Sequence, residues 1–83
     1  MFRVLLFAVL RDAAGCDALE LHDPRPELSL PELLQLCEAA CPALGKYLPH
    51  VRVALDCEYA AGTARARPEQ EIALLPPVAG GAA

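Results

Sequence analysis

The sequence predicts an α+β roll: a mixed sheet of four to five strands with one main helix on one face. Three observations carry this. The two most apolar runs, residues 2–10 and 71–76, alternate in side-chain character as strands do. Only residues 29–41 carry helical spacing with a capping signal. Prolines and glycines divide the rest into short runs. A helix with a single apolar stripe covers one face of a sheet, so the opposite face is expected to be left largely open.

Residues 2–10, "FRVLLFAVL", form the predicted first strand. Phe2, Val4, Leu6 and Ala8 share the core face, and Arg3, Leu5, Phe7 and Val9 the other, with Arg11 beyond. "RDAAGCD" reads as a turn around Gly15, and "ALELHD" as a second, half-buried strand that completes a hairpin. "PRPE" interrupts the ladder because proline has no N–H to donate. The helix follows over residues 30–41. Ser29 and Glu32 make a capping box, Pro31 sits in the first turn, and Leu30, Leu33, Leu34, Cys37, Ala40 and Cys41 form one stripe. Pro42 ends it, and "ALGKYLP" is a connector. In "HVRVALDCEYA", Val51, Val53, Leu55 and Cys57 share a side, and "DCEY" turns into a short strand. "AGTARARPEQ" is a polar loop. The last strand places Ile72 and Leu74 on one face, and Glu71, Ala73 and Leu75 on the other. The helix is expected over Val4, Leu6, Val53 and Leu74, with the first and last strands central.

Composition narrows the function. The 83 residues make one domain, predicted over residues 1–77, followed by a tail over residues 78–83. With no Trp and only Phe2, Phe7, Tyr47 and Tyr59 as aromatics, the core is aliphatic. A net charge of -4, with a weak basic cluster at Arg65 and Arg67, argues against nucleic acid. Residues 4–10 only reach the lower limit for a signal-peptide core, about 7 residues, and no run nears the roughly 20 of a membrane span. A soluble, cytoplasmic protein is expected, with no membrane partner. The four cysteines lack C-x2-C spacing and are expected to be buried and inert rather than metal ligands. His22 and His50 take no role.

The chain closes on "LLPPVAGGAA". Pro76 and Pro77 end the strand and stiffen an extended exit. Val78, Ala79, Gly80 and Gly81 offer no polar side chain, so the chemistry available there is a carboxylate. Taken alone, such a segment also fits a frayed terminus.

The whole chain resembles the small, sulfur-carrying subunit of molybdopterin synthase (MoaD type), a ubiquitin-like β-grasp family. "LFAVLRDAAG" is similar to that family's FFA-x-x-R-E-x-x-G segment, and "LLPPVAGG" to its FxPPVxGG tail. Leu75 departs from the family's frequent Phe, "PEQE" from its Gly-Asp turn, and Asp56 stands near its Asn-Gly turn. The resemblance implies that an E1-like activating enzyme (MoeB type) uses ATP to adenylate the carboxylate of Gly81. Sulfur then converts it to a thiocarboxylate. The tail, including Gly80, Pro76, Pro77 and Val78, inserts into the large synthase subunit (MoaE type), and a cyclic pyranopterin phosphate becomes molybdopterin. The chain has no phosphate-binding loop and no nucleophile–base pair, so it binds no cofactor directly and is not catalytic alone. Ala82 and Ala83 must be removed for that carboxylate to exist. Phe7, Arg11 and Leu75 are the expected partner-binding residues, forming an apolar patch rimmed by Arg3, Arg11 and Glu71. Three alternatives stand beside this reading. They are a thiamine-type sulfur carrier, a ubiquitin-like modifier of other proteins (Lys46 is the chain's sole lysine), and an interaction module without chemistry.

Overall fold

The computed structural model describes residues 1–76. Strands β1 (Phe2–Leu6), β2 (Ala18–Leu21), β3 (Leu28–Ser29), β4 (Arg52–Leu55), β5 (Glu58–Tyr59), β6 (Arg65–Ala66) and β7 (Ile72–Leu75) combine with helices α1 (Val9–Ala14) and α2 (Leu30–Ala40). The main sheet has five strands in the order β2-β1-β7-β4-β5, and β3 pairs with β6 in a separate ribbon. β1 runs parallel to β7 and antiparallel to β2; β4 is antiparallel to both β7 and β5. This is the predicted α+β, β-grasp architecture, with the first and last strands inside the sheet.

β1 follows the predicted alternation as far as Leu6. Phe2, Val4 and Leu6 are buried against the core, and Arg3 is exposed. The strand does not continue to Leu10, as expected from its apolar run. Ala8 adopts φ 53, ψ -127, a region rarely occupied by residues with a Cβ, and the chain turns into α1. Leu10 is fully buried all the same, delivered to the core by a helix instead of a strand. The six-residue helix takes the end of the expected strand and the start of the expected turn, and is closed by Gly15 at φ 75, whose amide donates to the Arg11 carbonyl at 2.9 Å.

α2 starts as predicted. The Glu32 amide donates to Ser29 Oγ at 3.2 Å, and the Ser29 amide donates to Glu32 Oε1 at 2.9 Å. Leu33 and Cys37 are its buried residues, while Leu30, Leu34 and Cys41 pack partly against the core. Ala40, assigned to the same stripe, is exposed. Two 3-10 turns follow, Pro42–Leu44 and Leu48–His50, and bury Leu44 and Leu48. The connector thus contributes to the core.

The core gathers Phe2, Val4, Leu6 and Leu74 of the sheet with Leu33 and Cys37 of α2. Burial of each such side chain contributes about 1.5–3 kcal/mol. Residues 61–70, read as loop, contain β6, whose Ala66 pairs with Leu28; both are fully buried. Two of the four cysteines also differ from expectation. Cys37 is buried and Cys41 half-buried, but Cys16 and Cys57 are exposed. Both exposed thiols lie in turns, where no second layer covers them.

Candidate functional site

The face of the sheet turned away from α2 carries the candidate site. Cross-strand register places Ala18, Leu5, Ala73, Ala54 and Tyr59 side by side across all five strands. Ala54 and Ala73 are only 7% and 8% exposed although no helix covers them. Their neighbours rise around them, and Phe7, Tyr59, Leu75, Glu71 and Cys57 enclose a groove of ≈ 300 Å³ with the two alanines as its floor. Two small residues facing each other in adjacent strands create the hollow.

Phe7 and Leu75 meet because β1 and β7 are parallel. Leu6 pairs with Leu74, so the next residue of each strand sits at the same end of the sheet on the helix-free face. Phe7 is 43% exposed and Tyr59 61%, which makes the groove wall an exposed apolar patch. Arg11 lies exposed on α1 rather than on an extension of β1, with its Nε 4.0 Å from Asp12 Oδ1, and does not line the groove. Pro76 is half-buried directly after β7. The predicted tail residues Pro77, Val78, Gly80, Gly81, Ala82 and Ala83 lie outside the described residues.

The far end of the groove is a hydrogen-bonded turn. Asp56 and Cys57 have φ 52 and φ 70 and form the two-residue loop between β4 and β5. Cys57 Sγ donates to Glu71 Oε1 at 3.3 Å. That bond, together with the charge of Glu71, raises the Cys57 thiol above its ordinary value. The buried Cys37 thiol is pushed up to about 12 by desolvation. Neither thiol is disposed to act as a nucleophile near neutral pH. No cluster of three His, Cys, Asp or Glu side chains suited to a metal occurs among the described residues. No described helix is long and apolar enough to cross a membrane.

Sequence reasoning identified Phe7 and Leu75 but not the floor or the far wall. Ala54, Ala73 and Tyr59 entered the strand pattern without a role. The available signal was the pair of small residues interrupting the aliphatic strands of residues 51–55 and 71–75, next to an aromatic after a turn.

No curated protein matches the chain at a significant level. Solved structures do. The small archaeal modifier protein SAMP1 of Haloferax volcanii is 28% identical, with 96% of this chain and 98% of that one covered and a TM-score of 0.78. A Pyrococcus furiosus protein assigned as molybdopterin converting factor subunit 1 is 19% identical, with coverage of 93% and 97% and a TM-score of 0.71. The HVO 2177 protein of Haloferax volcanii is 24% identical, with coverage of 96% and 85% and a TM-score of 0.74. The last two likenesses concern the fold alone. The ThiS family model matches residues 4–81, nearly the whole chain, and the chain therefore belongs to the ThiS family of ubiquitin-like sulfur carriers.

Proposed function

We propose that this chain is the MoaD-type sulfur carrier of cytoplasmic molybdenum cofactor biosynthesis, the small subunit of molybdopterin synthase. One observation carries the reading. The segment "LLPPVAGG", residues 74–81, continues from a central strand beside an apolar groove on the helix-free face. The groove side supplies a docking surface, with Phe7, Leu75 and Arg11 in contact with the partner. The tail supplies the reactive group. A carboxylate oxygen of Gly81 attacks the α-phosphorus of ATP on an E1-like activating enzyme and expels pyrophosphate. A sulfide-level nucleophile then attacks the acyl carbon, forming the C–S bond as the C–O bond to AMP breaks, to give the thiocarboxylate. Proline at 76 and 77 fixes φ and carries no N–H, and glycine at 80 and 81 brings no Cβ into the partner's channel. The large synthase subunit completes the site, in which the thiocarboxylate donates sulfur to a cyclic pyranopterin phosphate. That the family match ends at Gly81 supports this residue as the reactive terminus after removal of Ala82 and Ala83.

The test compares the 83-residue chain with a version ending at Gly81, each given ATP and the cognate activating enzyme. Pyrophosphate exchange is expected only with the shorter form, because a peptide carbonyl at Gly81 has no carboxylate oxygen to attack with. Equal exchange from verified intact chain overturns the role of Gly81. Addition of a sulfide source, the large subunit and the cyclic pyranopterin phosphate then yields molybdopterin.

A second reading has its own support in the 28% identity to SAMP1, named as a modifier protein. It shares the activation step and differs in the acceptor, which becomes an amine of another protein. Mass spectrometry for adducts of this chain on other proteins' lysines separates the two.

A further inference from the structure

Arg52 differs from the other arginines of this acidic chain. Arg11, Arg25, Arg65 and Arg67 each have a carboxylate within 4.0 Å. Among the described residues, Arg3 and Arg52 have none. Both face the helix-free side, since Arg3 shares a face with Leu5, and Arg52 with Ala54. Their surroundings differ. Arg3 lies opposite Glu20 in β2 and beside Glu71 in the hollow next to the groove. Arg52 lies opposite Leu75, and its guanidinium carbon stands 4.2 Å from the centroid of the Tyr59 ring. The ring lies against the guanidinium, whose N–H donors have no acceptor among the described residues.

We propose that Arg52 is a specificity-determining residue of the docking surface. It selects a partner segment that places a carboxylate on Arg52 beside a large apolar side chain filling the groove. The argument is one of desolvation. Arg52 lies opposite Leu75 and against Tyr59, two residues that wall the groove, so a partner seated against those walls reaches Arg52. A guanidinium taken out of water without a counter-charge opposes association, whereas a carboxylate meeting its planar fork forms two charge-assisted hydrogen bonds. Contact with the Tyr59 ring limits the freedom the Arg52 side chain has to lose. A partner with a neutral or basic side chain at this point is rejected by the same surface that admits an acidic one.

The inference rests on the proposed function for the identity of the partner, the large synthase subunit, which is the probe. Binding is measured by calorimetry at low and high salt for the unsubstituted chain and for Arg52→Gln, Arg52→Lys and Arg65→Gln. Unchanged melting temperatures establish that each variant is folded. Arg52→Gln is expected to bind about tenfold more weakly and to lose most of the salt dependence. Arg52→Lys, which keeps charge but not the planar fork, falls between, and Arg65→Gln, on the separate β3–β6 ribbon, binds as the unsubstituted chain does. Equal binding by Arg52→Gln and the unsubstituted chain overturns this inference and leaves the proposed function standing. Absence of binding by the unsubstituted chain overturns the proposed function, and this inference with it.

Discussion

The amide of Glu71 donates to the Asp56 carboxylate at 2.8 Å, and the amide of Asp56 donates to the Glu71 carbonyl at 2.8 Å. This reciprocal pair ties the β4–β5 turn to the residue just before β7. It also sets Cys57 against the Glu71 side chain at the closed end of the groove. The wall of the candidate docking surface is thus fixed by backbone contacts that no single element could make.

The same turn is strained. Asp56 and Cys57 both have positive φ, and a two-residue hairpin loop of this kind favours Asp-Gly. Cys57→Gly is expected to stabilise the fold by about 1 kcal/mol, because the Cβ penalty at φ 70 exceeds the weak, exposed thiol bond it removes. For a domain of this size the melting temperature rises by about 4–8 °C. A fall in melting temperature would mean that the Glu71 contact outweighs the strain.

The thiols separate by chemistry. Alkylation requires the thiolate. Peptide mapping after brief alkylation at mildly alkaline pH is expected to find Cys16 modified first, Cys57 more slowly and Cys37 only on unfolding. Glu71→Ala removes the hydrogen bond and the charge that hold the Cys57 proton and speeds its labelling. An unchanged rate at Cys57 in that variant contradicts the assigned cause.

The acid limb of stability follows from two carboxylates. Hydrogen bonds and charge from Arg25 hold Asp23 at about 2, and the amide and hydroxyl of Ser29 lower Glu32. Both folded-state values lie below the unfolded ones. Their stabilisation is therefore present above about pH 4 and is lost as the pH falls toward 2. Both groups are half-buried and still reached by solvent, so the effect is small. Urea midpoints for Asp23→Asn with Glu32→Gln are expected to vary less between these limits than those of the parent chain. Parallel acid limbs would place the pH dependence elsewhere.

Loss of the α2 cap by Ser29→Ala is expected to cost about 1 kcal/mol in urea unfolding. Glu32→Gln keeps an oxygen acceptor for the Ser29 amide and costs less. A larger loss from Glu32→Gln than from Ser29→Ala would show that charge, rather than the hydroxyl, anchors the helix start.

Exposure separates binding from folding at the end of β1. Phe7→Asp is expected to leave the melting temperature within a few degrees while weakening binding to the large synthase subunit. Leu10→Ala, three residues on and fully buried, costs about 2–5 kcal/mol. If Phe7→Asp unfolds the chain, the open-face assignment is wrong.

What the sequence determined by itself was local or strictly periodic. The Ser29–Glu32 capping box spans three residues, and the alternation of Phe2, Val4 and Leu6 selects a core face without reference to any partner. The turn at Asp56 and Cys57 was legible for the same reason, as was the parity that puts Phe7 and Leu75 on the face away from α2. Tertiary structure decided the rest. The run from Val4 to Leu10 fits a strand or a strand followed by a helix, and only the need to bring Leu10 under the sheet while reversing direction selects α1. β3 and β6 have two residues each, too few to carry a period, and exist because Leu28 and Ala66 meet from distant parts of the chain. The groove is likewise a product of register. Ala54 and Ala73 are small in any sequence context, but they make a hollow only when antiparallel pairing sets them opposite each other and places Phe7, Tyr59 and Leu75 around them.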